Sequence, residues 1–162
     1  MEHVTHCFEP VFDGKSKVLI LGTFPSVKSR EGEFYYHHPQ NRFWKLIAGL
    51  TGSEVPGTIG EKKEMLLQNG IAIWDVIQSC DIVGSSDSSI KNVVPADISH
   101  VLEGSGIEKI FGNGNTAFQL YMKYCYGVTG REMVKLPSTS PANAAFSLDR
   151  LLDSWSVIKE FI

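Results

Sequence analysis

Four short apolar runs, each closed by turn-forming residues, are the clearest pattern along the chain. Lys17-Val18-Leu19-Ile20-Leu21 ends at Gly22, and Ile71-Ala72-Ile73-Trp74-Asp75-Val76-Ile77 follows Asn69-Gly70. Glu108-Lys109-Ile110-Phe111 runs into Gly112-Asn113-Gly114-Asn115, and Glu132-Met133-Val134-Lys135-Leu136 runs into Pro137. Nearly uninterrupted apolar runs of this length suit parallel strands buried on both faces. Between them the spacing predicts helices over about residues 41–50, 59–68, 95–102 and 116–124, with a last one over about 144–161. Residues 84–92 read as a hydroxyl-rich loop. Strands alternating with helices predict an α/β fold, a three-layer αβα sandwich around a mainly parallel four-stranded sheet. Such sheets bind ligands beyond the carboxyl ends of their strands. That edge gathers Thr23, Phe24 and Ser26, the segment from Tyr36 to Asn41, Asp75, and the segment from Ser138 to Asn143.

Size and composition bound the function. The 162 residues, 43% hydrophobic and 20% charged, are expected to form a single domain over residues 1–162. No apolar run approaches membrane-spanning length, and the first residues lack the blocks of a signal peptide, so the expected compartment is the cytosol. Cys7, Cys80 and Cys125 are odd in number and widely spaced, which argues against a disulfide framework or a Cys-x-x-Cys metal site. His3, His6 and Cys7 crowd the start, but no second ligand pair has zinc spacing, so this stretch reads as a frayed terminus. Neither a metal nor a cofactor is expected. The net charge of −3 gives no general attraction to nucleic acid, so any DNA contact must be local.

One stretch asks for more than packing. Phe34-Tyr35-Tyr36-His37-His38-Pro39-Gln40-Asn41-Arg42-Phe43-Trp44 crowds aromatics, histidines, an amide and a guanidinium into a loop that opens a helix. Adjacent aromatics with interleaved donors suit a flat hydrogen-bonding ligand such as a nucleobase. Phe43 and Trp44, in helical register with Ile47 and Ala48, read as core. Tyr35, Tyr36, His37 and Asn41, before or at the helix start, read as functional. Ser88 in the hydroxyl-rich loop and Asn113 in the Gly/Asn turn are candidate phosphate contacts.

These segments together resemble the uracil-DNA glycosylase superfamily over nearly the whole chain. His38-Pro39-Gln40-Asn41-Arg42-Phe43-Trp44 looks like the His-Pro-x-Asn-Arg-Phe-Trp segment of its mismatch-specific branch. Gly22-Thr23-Phe24-Pro25-Ser26, Trp74-Asp75-Val76-Ile77 and Ser140-Pro141-Ala142-Asn143 point further, to its hypoxanthine-DNA glycosylase branch. The resemblance implies a monofunctional DNA glycosylase that flips a deaminated base, hypoxanthine or uracil, out of DNA and hydrolyses its N-glycosidic bond. It implies Asn41 as the catalytic amide, Tyr36 as the ring that stacks on the base, Asp75 at a base-reading position, and Thr23, Phe24, Ser26 and His37 around the base. Ser138 or Thr139 stands where relatives keep a leaving-group histidine, and Ser140, Pro141 and Asn143 fall in a DNA-contacting loop.

The departures are informative. Phe24 occupies the place of an acidic or amide residue that handles the attacking water, and phenylalanine cannot do that work. An amide at Asn41 orients water but is a poor base, which favours a dissociative path. Leaving-group help without the histidine is either weaker or comes from Asp75, His37 or backbone N–H groups, and Ser26, small where uracil-specific relatives carry a tyrosine, leaves room for a purine. Asp75 donates to a carbonyl if protonated and accepts from a ring N–H if ionised; a solvated strand-end residue is the plain alternative. The protein is expected to act as a monomer. Two other readings compete: a mismatch-type uracil enzyme, and a non-catalytic nucleotide- or DNA-binding module of the same fold.

Overall fold

The computed structural model describes residues 1–162. Its elements in chain order are β1 (Glu2–Thr5), β2 (Val18–Gly22), α1 (Val27–Gly32), α2 (Phe43–Thr51), α3 (Ile59–Gln68), β3 (Ile71–Asp75), β4 (Ile77–Ile82), β5 (Lys91–Pro95), α4 (Ile98–Glu103), β6 (Lys109–Asn113), α5 (Asn115–Tyr124), α6 (Tyr126–Thr129), β7 (Met133–Leu136) and α7 (Leu148–Trp155). Single 3₁₀ turns lie at Asp87–Ser89 and Ser156–Glu160.

The four apolar runs form one parallel sheet in the order β3-β2-β6-β7, as the alternation of elements predicts. Every residue of β2 and β3 is buried, so both strands are covered on both faces. The outer edge of β3 is closed by Val11, which exchanges backbone hydrogen bonds with Ile73. Helix α3 forms over the predicted residues because Thr58 and Glu61 make a reciprocal capping box at its start. Phe43, Trp44, Ile47 and Ala48 are buried in the main core. Cys7, Cys80 and Cys125 are free thiols, the last two buried.

A second, antiparallel sheet, ordered β1-β4-β5, departs from the sequence reading. The expected strand over residues 71–77 is two strands: after Asp75 the chain changes sheets, Val76 N–H donating to Gly22 O and Ile77 N–H to Thr23 O. The start of the chain is not frayed. Its residues Glu2–Thr5 pair in register with Ile82 back to Ser79. Pro95 closes β5 rather than opening a helix, and α4 starts at Ile98. The helix expected from residue 144 begins only at Leu148, because the Phe146 carbonyl is taken by the Arg42 guanidinium while Ser147 Oγ accepts the Arg150 N–H. A helix through Phe146 would need that carbonyl for residue 150.

Candidate active site

The carboxyl ends of β2, β3, β6 and β7 open into one cleft of about 540 Å³. Thr23, Phe24, Ser26, Tyr36, Asn41, Asp75, Asn113, Ser138, Ser140 and Pro141 all line it. The geometry turns on a chain of hydrogen bonds whose directions are fixed. Thr139 N–H donates to Asn113 Oδ1 at 3.0 Å, so Asn113 must turn its Nδ2 toward Thr139 Oγ1, 3.1 Å away. The Thr139 hydroxyl then donates to Asn41 Oδ1 at 2.8 Å. That oxygen also accepts the Phe43 N–H at 2.9 Å at the start of α2. A backbone N–H only donates, so both amides are oriented without ambiguity. Both lone pairs of Asn41 Oδ1 are used, and its Nδ2 has no partner in the chain. Asn41 therefore offers the cleft a donor. The same bond to Phe43 makes α2 start at Phe43, later than the expected residue 41.

Asp75 closes β3 and is 4% exposed. Its Oδ2 lies 2.8 Å from His6 Nε2, a buried pair spanning from the start of the chain. Its Oδ1 has no partner and sits so close to β2 that a Cβ at position 22 would stand 2.5 Å from it and 3.0 Å from the Tyr36 hydroxyl. Only glycine permits that approach. Tyr36 takes a left-handed backbone conformation, φ 50°, uncommon for a bulky residue. Its ring stacks on Phe43 with centroids 4.1 Å apart and planes 21° apart. Burial first, and then the Asp75 carboxylate, hold the Tyr36 phenol far above its usual range, so it stays an O–H. That hydroxyl is buried without a partner.

Several expectations shift. His37 is exposed outside the cleft, its ring packed against Gly32; His38 lines the cleft in its place, because the left-handed turn at Tyr36 redirects the chain. Ser88 also lies outside, and its loop contributes Ser85, Ser86 and Asp87. Asn113 is buried with its amide committed to Thr139, so it orients Thr139 instead of meeting phosphate. Asn143 is outside the cleft and ties Nδ2 to the Ser138 carbonyl. Ser138 faces the cleft, its Oγ accepting the Ser140 N–H. Ser26 caps α1 by accepting the Ser29 N–H.

Three residues of the site have roles that residue type does not assign. Thr139 is fully buried beside Asn41, and His6 belongs to the stretch that reads as a frayed end. Arg42 spreads its guanidinium over the carbonyls of Thr139, Ser140, Asn143 and Phe146 and so moulds the wall after β7. A planar fork of donors suits that cluster, as a lysine would not.

A family model described as the Uracil DNA glycosylase superfamily matches residues 9–161. The chain belongs to the uracil-DNA glycosylase superfamily. It is 36% identical over 145 residues to a protein named Hypoxanthine DNA glycosylase from Methanosarcina acetivorans, covering 88% of this chain and 90% of that one. A protein of the same name from Methanosarcina barkeri is 35% identical over 86 residues, 52% of this chain and 54% of that one. The solution NMR structure of a proposed uracil DNA glycosylase from Methanosarcina acetivorans superposes with a TM-score of 0.80 at 33% identity, covering 94% and 95% of the two chains. Phe24 is part of the lining of this glycosylase's cleft. No helix is long and apolar enough to cross a membrane.

Proposed function

We propose that this glycosylase excises hypoxanthine from DNA, with uracil as a second substrate, by hydrolysis after flipping the base into the cleft. The observation that carries this reading is the polarity of two unpartnered atoms in the cleft, a donor at Asn41 Nδ2 and an acceptor at Asp75 Oδ1. A deaminated base offers a ring N–H beside a carbonyl, and the N–H suits a lone carboxylate oxygen. Two relatives named for hypoxanthine support the choice of purine, as does a serine rather than a bulky side chain at Ser26. No lysine lines the cleft, which supports hydrolysis without a strand-cutting step. The protein works as a cytosolic monomer without a cofactor.

Asn41 holds the attacking water by donating to its oxygen and draws no proton from it. The bond from sugar to base therefore stretches first, and the water captures the cationic sugar carbon. Its proton is lost after the bond to carbon has begun to form, to solvent or to the departing base. The Ser138 hydroxyl, which lines the cleft, stabilises the charge that builds on the base. Pushing a base into the site costs a few kcal/mol of unstacking, and stacking on an aromatic ring returns ~1–3 kcal/mol; Tyr36, backed by Phe43, is that ring.

Single-turnover excision from duplexes carrying inosine, uracil or xanthosine tests this, with Asn41→Ala and Asn41→Asp beside wild type. Aspartate keeps an oxygen for Phe43 and Thr139 but turns a second oxygen, an acceptor, to the cleft. Both variants are expected to lose at least ~100-fold in rate, an interaction made chiefly in the transition state. Full activity in Asn41→Asp would make the group a base and overturn the donor role. A wild type inert on all three duplexes would overturn the substrate assignment.

A further inference from the structure

We infer that His6 is a specificity-determining positioning residue: by taking one oxygen of Asp75 it leaves a single acceptor facing the base, which admits hypoxanthine and refuses guanine. The inference rests on the base-reading role proposed for Asp75. His6 does not line the cleft. It stands behind Asp75, its side chain 2% exposed, with Nε2 2.8 Å from Oδ2. Its backbone N–H is tied to the Gln78 carbonyl at 2.7 Å. Phe8, Tyr35 and Phe24 surround its ring at centroid distances of 4.6, 5.9 and 6.1 Å. No group meets its Nδ1. A buried imidazole among aromatics, with one nitrogen unpartnered, is costly to keep for packing alone, since an apolar ring would fill the space without that loss. What the imidazole adds is its bond to Asp75.

The consequence follows from counting donors. A carboxylate with both oxygens free matches two parallel N–H groups, which guanine presents at its ring N1–H and adjacent amino group. His6 stands behind Asp75 and does not line the cleft, so its bond turns Oδ2 away from the base and only Oδ1 faces it. Hypoxanthine, which has the ring N–H and no amino group, is satisfied by one oxygen. Guanine would bury its amino group unpaired, and adenine, whose ring N1 carries no hydrogen, would set a lone pair against Oδ1. Sites built this way discriminate strongly, because the wrong base leaves a buried polar group without a partner.

The test is single-turnover excision from single-stranded oligonucleotides carrying deoxyinosine or deoxyguanosine at one position, where base pairing contributes nothing. His6→Phe keeps a ring and removes the donor; His6→Gln keeps a donor. His6→Phe is expected to slow hypoxanthine release at least tenfold and to shrink the hypoxanthine-to-guanine rate ratio, while His6→Gln recovers most of both. Thermal unfolding of each variant separates these effects from loss of fold. If His6→Phe does not fold, His6→Gln is compared with the shorter His6→Asn, and only glutamine is expected to retain activity. Wild-type rate and ratio in a folded His6→Phe, or equal losses in the Gln variant and its donor-free or shorter counterpart, overturn the inference. Asp75→Asn is the control. If it retains wild-type hypoxanthine excision, the base-reading role of Asp75 fails; if it is defective while His6→Phe is intact, only the role of His6 fails.

Discussion

Thr139→Val tests the hydrogen-bond chain that orients Asn41. The side chain is fully buried, and valine matches its shape while removing the hydroxyl. Two bonds disappear, the 2.8 Å donation to Asn41 Oδ1 and the 3.1 Å acceptance from Asn113 Nδ2. Asn113 keeps its bond from Thr139 N–H but buries an unpaired Nδ2, which costs ~1–3 kcal/mol of stability. Asn41 keeps only the Phe43 N–H, and one bond fixes the oxygen without fixing the amide plane. A displacement of ~1 Å at a reacting group is worth ~100-fold in rate, so single-turnover excision is expected to fall ten- to a hundredfold. Thr139→Ser supplies the contrast. It retains the hydroxyl and loses one buried methyl, costing ~1 kcal/mol, and should excise at near wild-type rate. Urea unfolding gives the stabilities and single-turnover kinetics on an inosine duplex the rates. The two variants should therefore lose similar stability, with only valine losing activity. A fully active Thr139→Val, or a Thr139→Ser as slow as the valine variant, would refute the claim that the hydroxyl pins Asn41.

Tyr36→Phe removes a buried hydroxyl that has no partner, so its denaturation midpoint should hold or rise and its excision rate stay within a few-fold of wild type. Tyr36→Ala should lose base capture along with the ring, seen as a weakened single-turnover concentration dependence; equal losses in both would assign the role to the hydroxyl. Ser26→Tyr narrows the cleft and should slow hypoxanthine excision far more than uracil excision in matched sequence. The lost helix cap, ~1 kcal/mol, lowers stability but leaves the ratio of the two rates as the readout, and an unchanged ratio would remove the size argument.

How much of this is legible in the sequence depends on how local the cause is. The four apolar runs specify the parallel sheet because each strand carries its own burial signal in consecutive residues. The capping box of Thr58 and Glu61 lies within one turn, and α3 falls where its spacing places it. Cleft residues at strand ends, Thr23, Phe24, Asp75 and Ser138, are legible through the general rule for parallel sheets. The antiparallel sheet is not, since Glu2–Thr5 is polar and mostly exposed and finds its partner some 78 positions away, as between His3 and Asp81. His6 directly follows that strand, which is why its bond to Asp75 has no local trace. His37 and His38 differ by one position, and the backbone turn at Tyr36, invisible to residue type, sends the second into the cleft and the first away from it. The same limit applies to chemistry. An asparagine at position 41 could present either end to a substrate, and residue identity does not choose. The choice is made by the Phe43 N–H two residues on and by the Thr139 hydroxyl 98 residues away, which together claim the oxygen. Because one of those donors is backbone, no substitution at Phe43 other than proline removes it. The donor character of Asn41 is thus anchored in the start of α2, and the threonine adds the second point that holds its plane.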